Sequence, residues 1–295
     1  MDKFIIDEIV NDYTIKGLKA FSIIYNQNNT LVMEHNKYPE YLLKLSNKDF
    51  ESSKIQLDIL SSISTENKNI CRIHHTQIFK ENGNARTMEI IDKLNGITKK
   101  EYSKIDIERV IQATKMLNMD LNKYVNKYYE NLPSIGILLP TIIQNSSNKT
   151  LKSLAKIIQN DSAYENFIDT ENQNIIVADL VYENILFANN AINFIDLDPL
   201  ILGPKELQFS ILLTSNILIQ SNQFKNLSMD LIKNYAHFWG IERINREVLI
   251  SLSIFPLLIL AMKKVDVDSL PENQDSIYYK LKIILLFIIG ELNNG

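Results

Sequence analysis

The chain has 295 residues, of which 45% are hydrophobic and 22% charged, with a formal net charge of −4. This is a globular composition with enough apolar material for one large domain or two packed lobes. The acidic balance, with Lys and Arg scattered among acids, excludes a protein that binds nucleic acid through a basic face. A single cysteine, Cys71, excludes an intramolecular disulfide.

The first residues, Phe4-Ile5-Ile6 through Ile9-Val10, have helical spacing and lack the continuous apolar core of a signal peptide. A reduced, cytoplasmic protein is therefore expected. Phe21-Ser22-Ile23-Ile24-Tyr25, Thr30-Leu31-Val32-Met33-Glu34 and Tyr41-Leu42-Leu43-Lys44-Leu45 read as three strands. The turn signals between them, at 26–29 and 36–39, make an antiparallel meander. Residues 50–63 carry Ile55, Ile59, Leu60 and Ile63 at helical period, and 70–76 and 86–92 read as two further strands.

After Gly96 the character changes. A long amphipathic helix is predicted over 105–125, helical text over 132–164 and again from Glu206 to the end, with one β-rich island at 175–196. The expected organisation is α+β, with a small antiparallel-sheet lobe over 1–92 and a large, mainly helical lobe over 93–295. The apolar runs 248–262 and 277–292 are too short or too interrupted to span a bilayer and read as buried helices.

The island carries the most chemistry. Asp179 and Asn184 precede one short apolar strand, and Asp196 ends the next, twelve residues beyond Asn184. Phosphoryl transfer to a hydroxyl needs a carboxylate to orient the acceptor and take its proton. It also needs hard oxygen ligands to hold magnesium against the phosphates. An Asp, an Asn five positions on, and a second Asp after a hairpin supply that set. As turn residues alone they would be unremarkable, since Asp and Asn favour such places. Their placement at strand ends, with a strand lysine upstream, gives them weight.

The run Asp179-Leu180-x-x-x-Asn184-Ile185-Leu186, followed by Phe194-Ile195-Asp196, resembles the catalytic segment of aminoglycoside phosphotransferases, choline kinases and their relatives. There it usually reads H-G-D-L-x-x-x-N-I-L, a hairpin, then I-D. The resemblance implies a two-lobed, protein-kinase-like fold with ATP and Mg as cofactors. It implies that Asp179 is the catalytic base, that Asn184 and Asp196 are metal ligands, and that Lys44 binds the ATP phosphates. Met88-Glu89-Ile90-Ile91 before Gly96 resembles the adenine-contacting hinge, with the backbone of Glu89 and Ile91 meeting the base, and Asp198 is a minor candidate beside the metal. Gly203-Pro204-Lys205-Glu206-Leu207 resembles the turn and helix start after the metal aspartate.

This sequence also departs from the pattern. Val177 and Ala178 replace the usual His-Gly, Gln208 replaces an aspartate common after the Gly-Pro turn, and no obvious helix acid pairs with Lys44: Gln56 takes the best-placed position, with Glu51 and Asp58 nearby but out of register. The expected function is Mg-dependent transfer of the ATP γ-phosphate to a small-molecule hydroxyl, such as that of an aminoglycoside or choline. The alternatives are a Ser/Thr side chain of a short peptide as acceptor, or a non-catalytic pseudokinase. No nucleic-acid or membrane partner is expected. Cys71, His74 and His75 offer no fourth metal ligand and read as packing residues. No histidine lies beside Asp179, which excludes a Ser-His-Asp hydrolase.

Overall fold

The computed structural model describes residues 3–27, 30–47, 50–64, 67, 69–81, 84–169, 173–189, 191–197, 199–220 and 223–294. The chain divides into two compact units, Met1–Ile97 with Leu186–Asp196, and Thr98–Ile185 with Leu197–Gly295. Asp198 and the tip of the first hairpin, residues 28 and 29, lie outside the described residues.

In the first unit, α1 (Lys3–Lys16) precedes β1 (Phe21–Gln27), β2 (Thr30–His35), β3 (Tyr41–Ser46), α2 (Phe50–Ser64), β4 (Ile73–Glu81) and β5 (Asn84–Asp92). The strands form one antiparallel sheet in the order β1-β2-β3-β5-β4. Alternation along the strands sends Met33, Leu43, Leu45, Met88 and Ile90 to one face, where they pack with Ile9 and Tyr13 of α1 and with Phe21. Burying each such side chain contributes about 1.5–3 kcal/mol. The intervening Lys44 and Glu89 therefore belong to the opposite face.

The expected strand at 70–76 begins three residues later and runs to Glu81. Its outer half, Gln77 to Glu81, pairs with Met88 to Asn84 in a long hairpin whose polar residues hid it from the hydrophobic pattern. Ile70 and Cys71 instead meet the 186–196 hairpin, with Cys71 N–H donating to Phe194 O at 2.9 Å and Phe194 N–H to Asn69 O at 2.7 Å.

The second unit holds α3 (Lys104–Asn122), α4 (Val125–Tyr128), α5 (Ile135–Asn145), α6 (Lys149–Gln159), α7 (Tyr164–Ile168) and β6 (Asn174–Val177). Next in the chain come two short strands, β7 (Ile185–Ala188) and β8 (Ala191–Phe194), which pair with each other and from Leu186 onward belong to the first unit. Beyond them lie β9 (Leu200–Gly203), α8 (Lys205–Leu212), α9 (Met229–Trp239), α10 (Arg246–Met262) and α11 (Ile277–Asn294). Ser103 starts α3 through a capping box, accepting from Asp106 N–H while the Asp106 carboxylate accepts from Ser103 N–H. α10 is buried almost throughout and packs against α5, α6, α8 and α11, which explains an apolar run longer than one helix face requires. Among the described residues no helix is long and apolar enough to cross a membrane. β9 was not expected; it pairs antiparallel with β6, so β6 finds its partner beyond the hairpin rather than within it.

Candidate functional site

The first unit brings two of the expected residues together. Lys44 lies in the middle of β3, and its Nζ donates to Asp196 Oδ1 at 2.5 Å across 152 positions of sequence. The Lys44 side chain is only 11% exposed, whereas that of Asp196 is 47% exposed. The pair thus presents a carboxylate at an open surface with an ammonium behind it.

The hairpin that delivers Asp196 is tied down at several points. Ile97 and Phe187 exchange backbone hydrogen bonds of 3.1 and 2.8 Å, and the Asn193 side-chain amide donates to Asn95 O at 2.8 Å. This close approach needs Gly96. A Cβ there would lie 2.8 Å from the Leu186 Cβ, and its φ of +142° is one that side chains rarely adopt. Asp196 itself has φ +50°, an uncommon conformation that Asp tolerates better than most residues.

The sequence-expected hinge residues fall inside the sheet. Glu89 lies between Lys44 of β3 and Thr76 of β4, and Ile91 between Leu42 and Ile73. An interior strand commits its backbone groups to both neighbours, which leaves neither residue's backbone positioned to meet an adenine edge. The chain leaves the sheet just beyond, where Lys93 N–H donates to Glu40 O and the connector runs to Gly96. Burial pushes the Cys71 thiol pKa up, and Asp92, Lys44, Asp196 and Glu89 are the charges in its field.

The second unit carries Asp179 and Asn184 on the loop between β6 and β7. Asp179 is exposed. The Asn184 amide donates to Asp179 O at 2.8 Å, which orients its Oδ1 away from that contact. The loop is braced from behind. Val177 N–H donates to Gln208 Oε1 at 2.8 Å and Gln208 Nε2 donates back to Val177 O at 3.3 Å. Ala178 N–H donates to Pro199 O at 2.9 Å. Leu180 O accepts from Ser215 Oγ at 3.1 Å and from Asn216 Nδ2 at 2.7 Å.

Ser215 and Asn216 lie in Leu213–Ile219, a π-helical continuation of α8, and such widened turns recur at functional sites. Sequence reasoning missed both residues. Their signal was a polar break, Thr214-Ser215-Asn216, inside the apolar run 211–219.

No protein-family profile matches the sequence, and no curated protein matches it. Solved structures do. Amicoumacin kinase hAmiN, in complex with AMP-PNP, Ca2+ and Ami, matches 99% of this chain over 96% of its own, at 12% identity and a TM-score of 0.67. The chain has the aminoglycoside-phosphotransferase fold.

A thermostable mutant of aminoglycoside phosphotransferase APH(4)-Ia, in a ternary complex with ADP and hygromycin B, covers 98% of this chain and 99% of its own, at 11% identity and a TM-score of 0.66. The microcompartment-associated aminopropanol kinase covers 96% and 95% respectively, at 13% identity and 0.62. At these identities the likeness establishes the fold alone. Within this phosphotransferase fold no three His, Cys, Asp or Glu side chains cluster as a metal site among the described residues. The candidate cation donors are the oxygens of Asn184 and Asp196. Asn184 belongs to the second unit and Asp196 to the first; each carries a hard oxygen of the kind magnesium takes, and the Asp196 carboxylate is half exposed.

Proposed function

We propose that this chain is a cytoplasmic, ATP-dependent phosphotransferase acting on a small-molecule hydroxyl. The observation that carries the reading is the 2.5 Å contact between Lys44 and Asp196. Those two residues were expected from sequence to serve the phosphates and the cation, and no local pattern requires them to meet. Lys44 would neutralise ATP phosphate charge. Asn184 and Asp196 would hold magnesium, which when bound supplies charge stabilisation at the transferring phosphoryl group.

Asp179 would accept the acceptor's hydroxyl proton and orient the oxygen. The braces at Val177 and Leu180 keep its loop from rearranging when substrate binds. Adenine would meet the backbone of the 93–96 connector rather than that of Glu89 and Ile91, which the sheet occupies. The amicoumacin, hygromycin B and aminopropanol proteins of the same fold support an acceptor that is a small polar molecule.

The non-catalytic alternative draws on Val177, Gln56 and Gln208, and of these Gln208 and Val177 are bonded to each other. Their mutual hydrogen bonds weaken it, because the loop is held despite both replacements.

A thermal-shift titration with Mg-ATP on the wild type and on Asp196→Ala tests the proposal. Ligand that binds only the folded state raises the midpoint. A magnesium-dependent rise that the variant loses is expected. No rise with any combination of nucleotide and metal would overturn the reading.

A further inference from the structure

Among the described residues of the first unit, Lys44 and Glu89 are the buried formal charges, at 9% and 2% exposure, with the titratable His35 ring aside. They are also direct cross-strand partners in the β3–β5 ladder. Directly opposite residues of an antiparallel pair project from the same face with their Cβ atoms about 5 Å apart. Taking one such charge out of water is costly unless an opposite charge accompanies it. α2 offers only a neutral amide, since Gln56 is the buried polar side chain of that helix among the described residues.

We propose that the Glu89 side chain is the counter-charge that aims Lys44, replacing the helix acid whose position Gln56 occupies. Lys44 then has two anionic neighbours of different kinds. Glu89 is buried and permanent. Asp196 is half exposed and can turn to a cation while Lys44 stays aimed by Glu89. Glu89 is thus a positioning residue, acting through Lys44. The aiming role rests on the phosphotransferase reading; the buried pair does not.

The test is a ligand-free stability cycle of Lys44→Met, Glu89→Gln and the double variant, with Mg-ATP affinity measured on Glu89→Gln and on Glu89→Gln combined with Gln56→Glu. Lys44→Met should lower the unfolding midpoint more in the wild type than in the Glu89→Gln background, because only in the former does a buried carboxylate lose its counter-charge. Glu89→Gln should weaken Mg-ATP binding on the order of tenfold, as for one lost charge-assisted contact, and Gln56→Glu should recover it.

Additive effects in the cycle, or wild-type Mg-ATP affinity in Glu89→Gln, would overturn the proposal. Should Glu89→Gln fail to fold, Glu89→Asp keeps the charge, and Lys44→Met should again destabilise it as strongly as the wild type. A wild type that Mg-ATP does not stabilise would sink the phosphotransferase reading, and the ligand-free cycle would still decide the pair.

Discussion

Gln208 and Val177 are joined by two hydrogen bonds, with the side-chain amide of Gln208 accepting from Val177 N–H and donating to Val177 O. Both residues are buried, Val177 fully and Gln208 at 1% exposure. A carboxylate at 208 could accept from the N–H but could not donate to the carbonyl. Glutamine therefore satisfies both backbone groups of a strand end, where a carboxylate would satisfy one.

Replacing Gln208 by Ala strands two buried backbone groups. The expected cost is about 2–4 kcal/mol of stability, read as a lower denaturant midpoint with an unchanged slope. Gln208→Glu should be worse tolerated than its size suggests, because it puts a carboxylate against Val177 O. A Gln208→Ala midpoint equal to wild type would show that the pair does not hold the loop.

Asn216 is fully buried, and its amide is one of two donors to Leu180 O, next to Asp179. Asn216→Ala leaves Ser215 as the remaining donor, so the fold should survive while the loop loosens. Once an acceptor is in hand, kcat should fall roughly 10- to 100-fold with little change in the KM for ATP, as befits a misplaced reacting group. An equal rise in KM with constant kcat would place Asn216 in ground-state binding instead.

Gly96→Ala drives a methyl group to within 2.8 Å of Leu186 Cβ at a backbone φ of +142°. Destabilisation by about 1–3 kcal/mol is expected. Hydrogen exchange at the Phe187 amide, which donates to Ile97 O, should accelerate more than exchange at Ile175, in the other unit. Uniform acceleration across both amides would contradict a local effect.

Arg246 at the start of α10 donates to Asp161 Oδ2 at 3.0 Å through Nε and 2.5 Å through Nη2, to Asp161 Oδ1 at 3.2 Å through Nε, and to Leu292 O at 3.0 Å. The hydrogen bonds from Arg246 hold the largely buried Asp161 carboxyl below its ordinary pKa. A lowered folded-state pKa contributes stability that is present above the unfolded carboxylate value, about 3.9, and is lost as pH falls through the folded value. Asp161→Asn should therefore lower the midpoint at neutral pH and flatten the acid arm of its pH dependence. An unchanged acid arm would show that other carboxylates govern acid unfolding.

Local text along the chain was enough to read the order of the five strands of the first sheet and the long helix α3. The apolar runs and turn signals that mark the first three strands, and the helical period in α2 and α3, are local signals, because each is read along one stretch of chain. The polar pattern of Asp179, Asn184 and Asp196 was visible because the three residues fall near strand ends within a short stretch.

Pairing between distant segments was not legible. The β6–β9 ladder, the outer half of β4, the commitment of Glu89 and Ile91 to the sheet, and the Lys44–Asp196 contact all depend on which segments lie side by side. Gln208 shows the same limit in one residue: in sequence it is a departure from the resembled pattern, and only the proximity of Val177, 31 positions away, makes it a two-bond brace. Spacing along the chain decides which face a side chain takes, whereas long-range contact decides what it meets there, and partner identity is encoded in no single stretch.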